Sequence, residues 1–246
     1  MRTSPLMALA FGALAIFLQN SPARAQQPVD VALVLLADGS GSIDPEEFRM
    51  QRDGYADAIT SPEVLAAVRS NARQKIAIVF VEWGAPESQN VIIDWTVIDG
   101  EVAAKRFADE LRQAPKLTFG YNSISNAIDL GVKLLVGAPV AADREVIDVS
   151  GDGPNIGGRD IHAARDDAVA KDITVNALAI RRPGSGVALS NNIPLEDYYR
   201  LNVIGGPGAF VEVAQGRENF AEAIRRKLVL ELAAAGAGPR ILALGE

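Results

Sequence analysis

The chain alternates between short apolar runs and longer amphipathic stretches. Val31–Ala37 is continuously apolar, the pattern of a strand buried on both faces. Lys75–Val81 and Glu145–Val149 read as further buried strands, Asn90–Ile98 as a strand with more alternation, Ile173–Ile180 as a strand, and Ala209–Val213 as the last strand. Between them lie segments of helical period. Glu101–Gln113 is one, and Ser123–Val136 is another, with Ile124, Ala127, Ile128, Gly131 and Leu135 on one face. Arg159–Lys171, Leu195–Leu201 and Glu218–Ala234 read the same way. A further helix starts at Asp44-Pro45-Glu46-Glu47: Asp44 suits the N-cap, Pro45 the first helical position, and Glu47 the closing position of a capping box. Strands alternating with helices predict an α/β fold, a doubly wound, mostly parallel sheet with helices on both faces. The exception is 82–89, too short for a helical crossover, which predicts one antiparallel edge strand.

No internal repeat, Gly/Ser linker or charge block divides the chain, which predicts a single domain over 26–235 and a loose tail at 236–246. The first 25 residues differ from the rest. Arg2 is followed by the uncharged apolar run Leu6–Leu18, by Gln19-Asn20-Ser21-Pro22, and by Ala23-Arg24-Ala25, an A-x-A cleavage pattern. The run falls short of the roughly 20 residues a membrane span needs, so 1–25 is expected to be a signal peptide and the protein periplasmic or secreted. Its removal leaves 22 basic and 31 acidic residues, a charge of −9. Such a charge disfavours nucleic acid and anionic lipid as partners, because both require a basic face. The chain has no cysteine and one histidine, His162, so thiolate and multi-histidine metal sites are excluded.

The remaining chemistry lies where apolar strands end. Asp38-Gly39-Ser40-Gly41-Ser42 offers one carboxylate and two hydroxyls at alternate positions, spaced by glycines. These hard oxygen donors suit Mg²⁺ or Ca²⁺. The turn lacks the third glycine of a dinucleotide fingerprint and the lysine of a P-loop. It also lacks the glycine and glutamate of an EF-hand, which Ile43 and Arg49 replace, and the glycine spacing of a nucleophile elbow. Alone, it reads best as an Asx-type turn before a helix. A second turn, Asp148-Val149-Ser150-Gly151-Asp152-Gly153, follows the fourth strand and would bring Asp152 towards Asp38. Together the turns favour a cation site.

Asp38-x-Ser40-x-Ser42 after an apolar strand, with Asp152 opening a later loop, resembles the metal-ion-dependent adhesion site of von Willebrand factor A (vWA) domains. The runs Tyr55-Ala-Asp-Ala58, Val81-Glu-Trp-Gly84, Val146–Gly153, Ile173–Leu178 and Val203–Phe210 are similar to an uncharacterised group of exported bacterial vWA proteins. The resemblance covers about residues 29–233. It implies a Mg²⁺, with Mn²⁺ or Ca²⁺ as alternatives, held directly by Ser40 and Ser42 and largely through water by Asp38 and Asp152. It also implies an open position for an Asp or Glu of a protein partner. The family's third loop carries a threonine where this chain, aligned on Ala127-Ile128, has Asn122. The asparagine carbonyl can ligate Mg²⁺ or simply cap the following helix, and Thr118 and Ser123 are weaker substitutes.

Other residues carry less. His162 is expected on a polar helix face, Glu82 and Trp83 at a strand end away from the site, Tyr198 and Tyr199 as core and surface on one short helix, and Asp166-Asp167 on a solvated face. The expected function is an exported binding module rather than an enzyme. The alternative is a metal-dependent phosphoesterase-type hydrolase, which would want a positioned base or a second cation.

Overall fold

The computed structural model describes residues 26–41, 43–181, 193–216 and 219–233. Residues 1–25, expected to be a signal peptide, residues 236–246, expected to be a tail, and Ser42 lie outside the described residues. Along the chain run β1 (Gln27–Asp38), α1 (Pro45–Thr60), α2 (Pro62–Arg69), β2 (Ile76–Trp83), β3 (Gln89–Ile98), α3 (Glu101–Gln113) and α4 (Ile124–Val136). Then follow β4 (Val140–Gly151), α5 (Ile161–Val169), β5 (Thr174–Arg181), α6 (Leu195–Asn202), β6 (Val211–Gln215) and α7 (Phe220–Leu232). The sheet order is β3-β2-β1-β4-β5-β6. All pairs are parallel except β2–β3, which is the antiparallel edge expected from the short 82–89 connection.

Alternation along the buried strands separates two cores. Val31, Leu33 and Leu35 face α1, α2, α3 and α7, while Ala32, Val34 and Leu36 face α4, α5 and α6. Both faces are covered, which is why 31–37 of β1 and 76–81 of β2 contain no polar residue. In the first core Tyr55 of α1 stands edge-on to Phe80 at 5.1 Å and to Phe220 at 6.2 Å between ring centres. Each such buried ring contributes about 1.5–3 kcal/mol through the apolar area it removes from water. Buried charged groups interrupt this core: Lys227 and Glu231 of α7 meet Asp148 of β4, and Arg52 of α1 meets Glu82 of β2.

The cap at α1 is as the sequence reads: Asp44 accepts from Glu46 N at 2.9 Å and Glu47 N at 2.8 Å, with Pro45 opening the helix. Some elements differ from expectation, β6 and α7 by two residues at each end. Helix α2 was legible in Ser61-Pro62-Glu63, a cap followed by a first-turn proline; Ser61 closes α1 through its N–H to Ala58 O and opens α2 by accepting from Val64 N. β4 begins at Val140 rather than Glu145, because 140–144 pairs with the start of β1 despite its polar residues. α5 begins two residues late, since Asp160 takes the cap by accepting from Ala163 N at 2.9 Å.

Candidate functional site

Register places the site. In the parallel pairs Asp38 lies opposite Trp83, and Ala37 opposite Ser150. The ends of β2, β1 and β4 therefore lie level, and the turns that follow them meet at one edge of the sheet. The neighbouring turns after β1 and β4 were expected; Trp83 was not. It lies beside the site rather than away from it: its carbonyl accepts from Gly39 N at 2.9 Å, and its ring would lie 3.0 Å from a Cβ at Gly151. Which residues of two parallel neighbours lie level is set by their register, and the two apolar runs alone do not specify it. Glu82 behaves as expected of a packing residue, bound by the Arg52 guanidinium at 2.7 Å in a buried pair.

Asp38 is buried at the end of β1. Its Oδ1 accepts from Ser40 N at 2.8 Å, which folds the turn back on the strand. Its Oδ2 is buried without a hydrogen bond. Burial raises its pKa first and the Asp152 carboxylate second, to about 7, against the lowering effect of hydrogen bonds with Ser40. Asp38 and Asp152 are thus brought together, and Ser40 is fully buried between turn and sheet.

The third loop, 118–123, closes over the turn. Gly41 N donates to Gly120 O at 2.6 Å, and a Cβ at Gly39 would lie 3.0 Å from Thr118 Cβ. Gly120 sits at φ +83°, in the left-handed region, and a Cβ there would lie 2.5 Å from Ala85 Cβ, so glycine alone lets the loop fit. Asn122 is buried against the loop of Asp152: its Nδ2 lies 2.8 Å from the Cβ position of Gly153, and its backbone carbonyl accepts from Ile156 N and Gly157 N. The N-cap of α4 is Ser123 rather than Asn122. Ser123 Oγ lies 3.0 Å from Gly157 O and 2.9 Å from Asn126 Oδ1, and Thr118 Oγ1 accepts from Asn90 Nδ2 at 3.3 Å.

Two tyrosines contribute more than the sequence suggested. The Tyr199 hydroxyl donates to Gly153 O at 3.1 Å, and Tyr198 Oη accepts from Asn155 N at 3.1 Å, so α6 braces the Asp152 loop from below. The Tyr199 ring is buried, and desolvation, then the charges of Asp38 and Asp152, push its pKa well up. Nothing in a Tyr-Tyr pair on a short helix specifies those contacts. His162 is exposed on α5, with Nε2 2.7 Å from Asn202 Oδ1. Asp166 and Asp167 are exposed and paired with Arg165 and Arg159.

The fold matches solved structures at low identity. A von Willebrand factor type A protein from Catenulispora acidiphila aligns with TM-score 0.54 and 14% identity over 83% of this chain and 43% of that one. Proximal thread matrix protein 1 from the mussel byssus, solved with a zinc-occupied MIDAS motif, gives 0.59 and 15% over 84% and 48%. The vWF domain of the pilus tip protein Mfa5 from Porphyromonas gingivalis gives 0.54 and 9% over 85% and 98%. The chain spans less than half the length of the first two. No curated protein matches it. Among the described residues no helix is long and apolar enough to cross a membrane. A family model described as "Protein of unknown function (DUF1194)" matches residues 28–236, so the chain belongs to the DUF1194 family and carries the vWA fold.

Proposed function

We propose that the protein is an exported binding module that holds a divalent cation, Mg²⁺ first, and uses it to capture an acidic group of a protein partner. The observation that carries this reading is Asp38 Oδ2, an oxygen buried without a hydrogen bond beside a second carboxylate. A buried unsatisfied oxygen next to like charge is costly unless a cation joins it. Asp38, Ser40, Ser42, Asn122 and Asp152 would hold the ion; all offer oxygen, the donor type Mg²⁺ prefers. Bound there, the ion would supply positive charge for a carboxylate from outside. The mussel protein's zinc-occupied motif supports a metal on this fold, and the oxygen-only donor set favours Mg²⁺ or Mn²⁺ here.

The test is a thermal melt with and without Mg²⁺. At an ion concentration 100 times Kd the folded state should gain about 2.7 kcal/mol, and Asp38→Ala should lose that gain while remaining folded. An equal Mg²⁺ response in the variant would move the ion elsewhere. Export is checked separately by N-terminal sequencing of the protein from the producing cells, which should begin at Gln26; a product beginning at Met1 would overturn it.

A further inference from the structure

Three segments frame the Asp38–Asp152 edge: 84–86, 117–126 and 153–158. They are tied to one another by Ala85 N to Phe119 O at 3.0 Å, Ser123 N to Gly84 O at 2.9 Å, and Ile156 N to Asn122 O at 2.8 Å. None of their residues is charged, in a chain where charged residues make up 22%. They nevertheless expose large apolar side chains: Phe119 at 57%, Tyr121 at 62% and Ile156 at 59%. The Tyr121 ring edge and Pro86 Cγ both approach Gly157, at 3.7 and 3.1 Å from its Cβ position, so Tyr121 and Pro86 meet beside Ile156. Grouped exposed apolar side chains mark recognition surfaces, and aromatic residues are enriched at their centres.

The nearest charges are engaged or lie at the margin. Arg159 is held by Asp129 and Asp167, at 2.6 and 2.7 Å. Lys116 donates to Ile43 O at 3.2 Å and lies over the Phe48 ring. Glu87 is exposed just beyond Pro86.

We infer that this uncharged collar is part of the recognition surface, and that its partner is a protein segment whose single Asp or Glu is flanked on both sides by aromatic or aliphatic residues. The inference rests on the metal reading above. A dication balanced by Asp38 and Asp152 has room for one more carboxylate but makes no positive field for an acidic tract, and Glu87 repels a second acid. Basic flanks would lose hydration over Tyr121 and Ile156, with Glu87 at the Pro86 margin as the one counter-charge close by among the described residues. Apolar flanks would bury against them, and one well-buried anchor is worth about tenfold in affinity.

The test pans a displayed library of nine-residue peptides, with Asp fixed at the centre and all other positions random, against the purified protein. We expect Mg²⁺-dependent binders, released by chelator, with aromatic or aliphatic residues on both sides of the aspartate. The best peptide should bind Tyr121→Ser/Ile156→Ser about tenfold more weakly, while the Mg²⁺ affinity by calorimetry stays unchanged. Both positions are exposed, and a thermal melt checks that the variant is folded. Polar or charged flanks, no binders, or equal affinity in the variant, with Mg²⁺ still bound, would overturn this inference alone. No Mg²⁺ binding to the wild-type protein would overturn it together with the metal reading. A wild-type dimer that the double variant turns into a monomer would make the occupant a second copy, and would also overturn it.

Discussion

Two pairs of carboxylates are drawn into the interior of this domain, and both involve the central strands. Asp148 on β4 meets Glu231 on α7; Asp38 at the end of β1 meets Asp152 just beyond β4. Burial is the largest upward influence on the pKa of Asp38, Asp148 and Glu231, and Asp38 and Glu231 both reach about 7. The difference is where positive charge comes from. Lys227 places its Nζ 2.5 Å from Asp148 Oδ1 and bonds Glu231 Oε1, which also accepts from Asn176 Nδ2 at 3.1 Å. At Asp38 the opposing influences are hydrogen bonds with Ser40, and the charge that acts on it is another carboxylate. One pair takes its positive charge from the chain, which fastens a helix to the sheet, although Asp148 Oδ2 and Glu231 Oε2 are also buried without hydrogen bonds. The other, built on turns at the sheet edge, is suited to complete itself from outside.

The comparison can be broken most directly at Lys227. Lys227→Met would leave two buried acids without their counter-charge and should cost about 3–5 kcal/mol in urea unfolding. Adding Asp148→Asn and Glu231→Gln should restore most of it. A loss below about 1 kcal/mol in the single variant would show that the internal pair does not depend on the lysine.

The pH dependence sharpens the same contrast. Unfolded Asp and Glu release their protons near 3.8 and 4.5, whereas folded Asp38 and Glu231 hold theirs to about 7. The folded state therefore binds more protons in that interval. The contribution of these two groups to stability is full below about 4 and is lost as pH rises to about 7, by an amount on the order of a few kcal/mol in chelator. Mg²⁺ favours the ionised Asp38 and should remove its share of the slope, while Glu231→Gln should remove the other share with or without the ion. Urea midpoints between pH 4 and 8 measure both. A slope unchanged by Glu231→Gln would detach the internal pair from it.

The smallest effect is expected at Asn122. Because Ser123 occupies the cap of α4, Asn122→Ala should act on the ion more than on the helix, weakening Mg²⁺ binding about tenfold. Asn122→Thr should keep the affinity. Calorimetric titration of the three proteins decides it, and an unchanged affinity in the alanine variant would remove Asn122 from the site.

Much of this was legible beforehand. The α/β order, the antiparallel edge and the cap at Asp44 follow from local rules: apolar runs, helical spacing, a connection too short for a helix. The neighbouring turns of Asp38 and Asp152 follow from the same rules plus a doubly wound sheet. Helix α2 has a local signal in Ser61-Pro62, whereas the first five residues of β4 have none, because Asp143 and Arg144 break the apolar pattern although Val140–Ala142 and Arg144 pair with β1. Trp83 was misjudged because strand register, unlike strand existence, is a relation between distant segments.

By itself the sequence determined which segments become strands and helices, and which of them end in oxygen-bearing turns, because those properties depend on residues within a few positions of one another. Only the tertiary structure decided that Asp38 Oδ2 is buried without a hydrogen bond, that α6 supports the Asp152 loop through Tyr198 and Tyr199, and that Lys227 serves Asp148 rather than solvent. Each of these depends on which surfaces are excluded from water when remote segments pack. Desolvation has no local pattern along a chain.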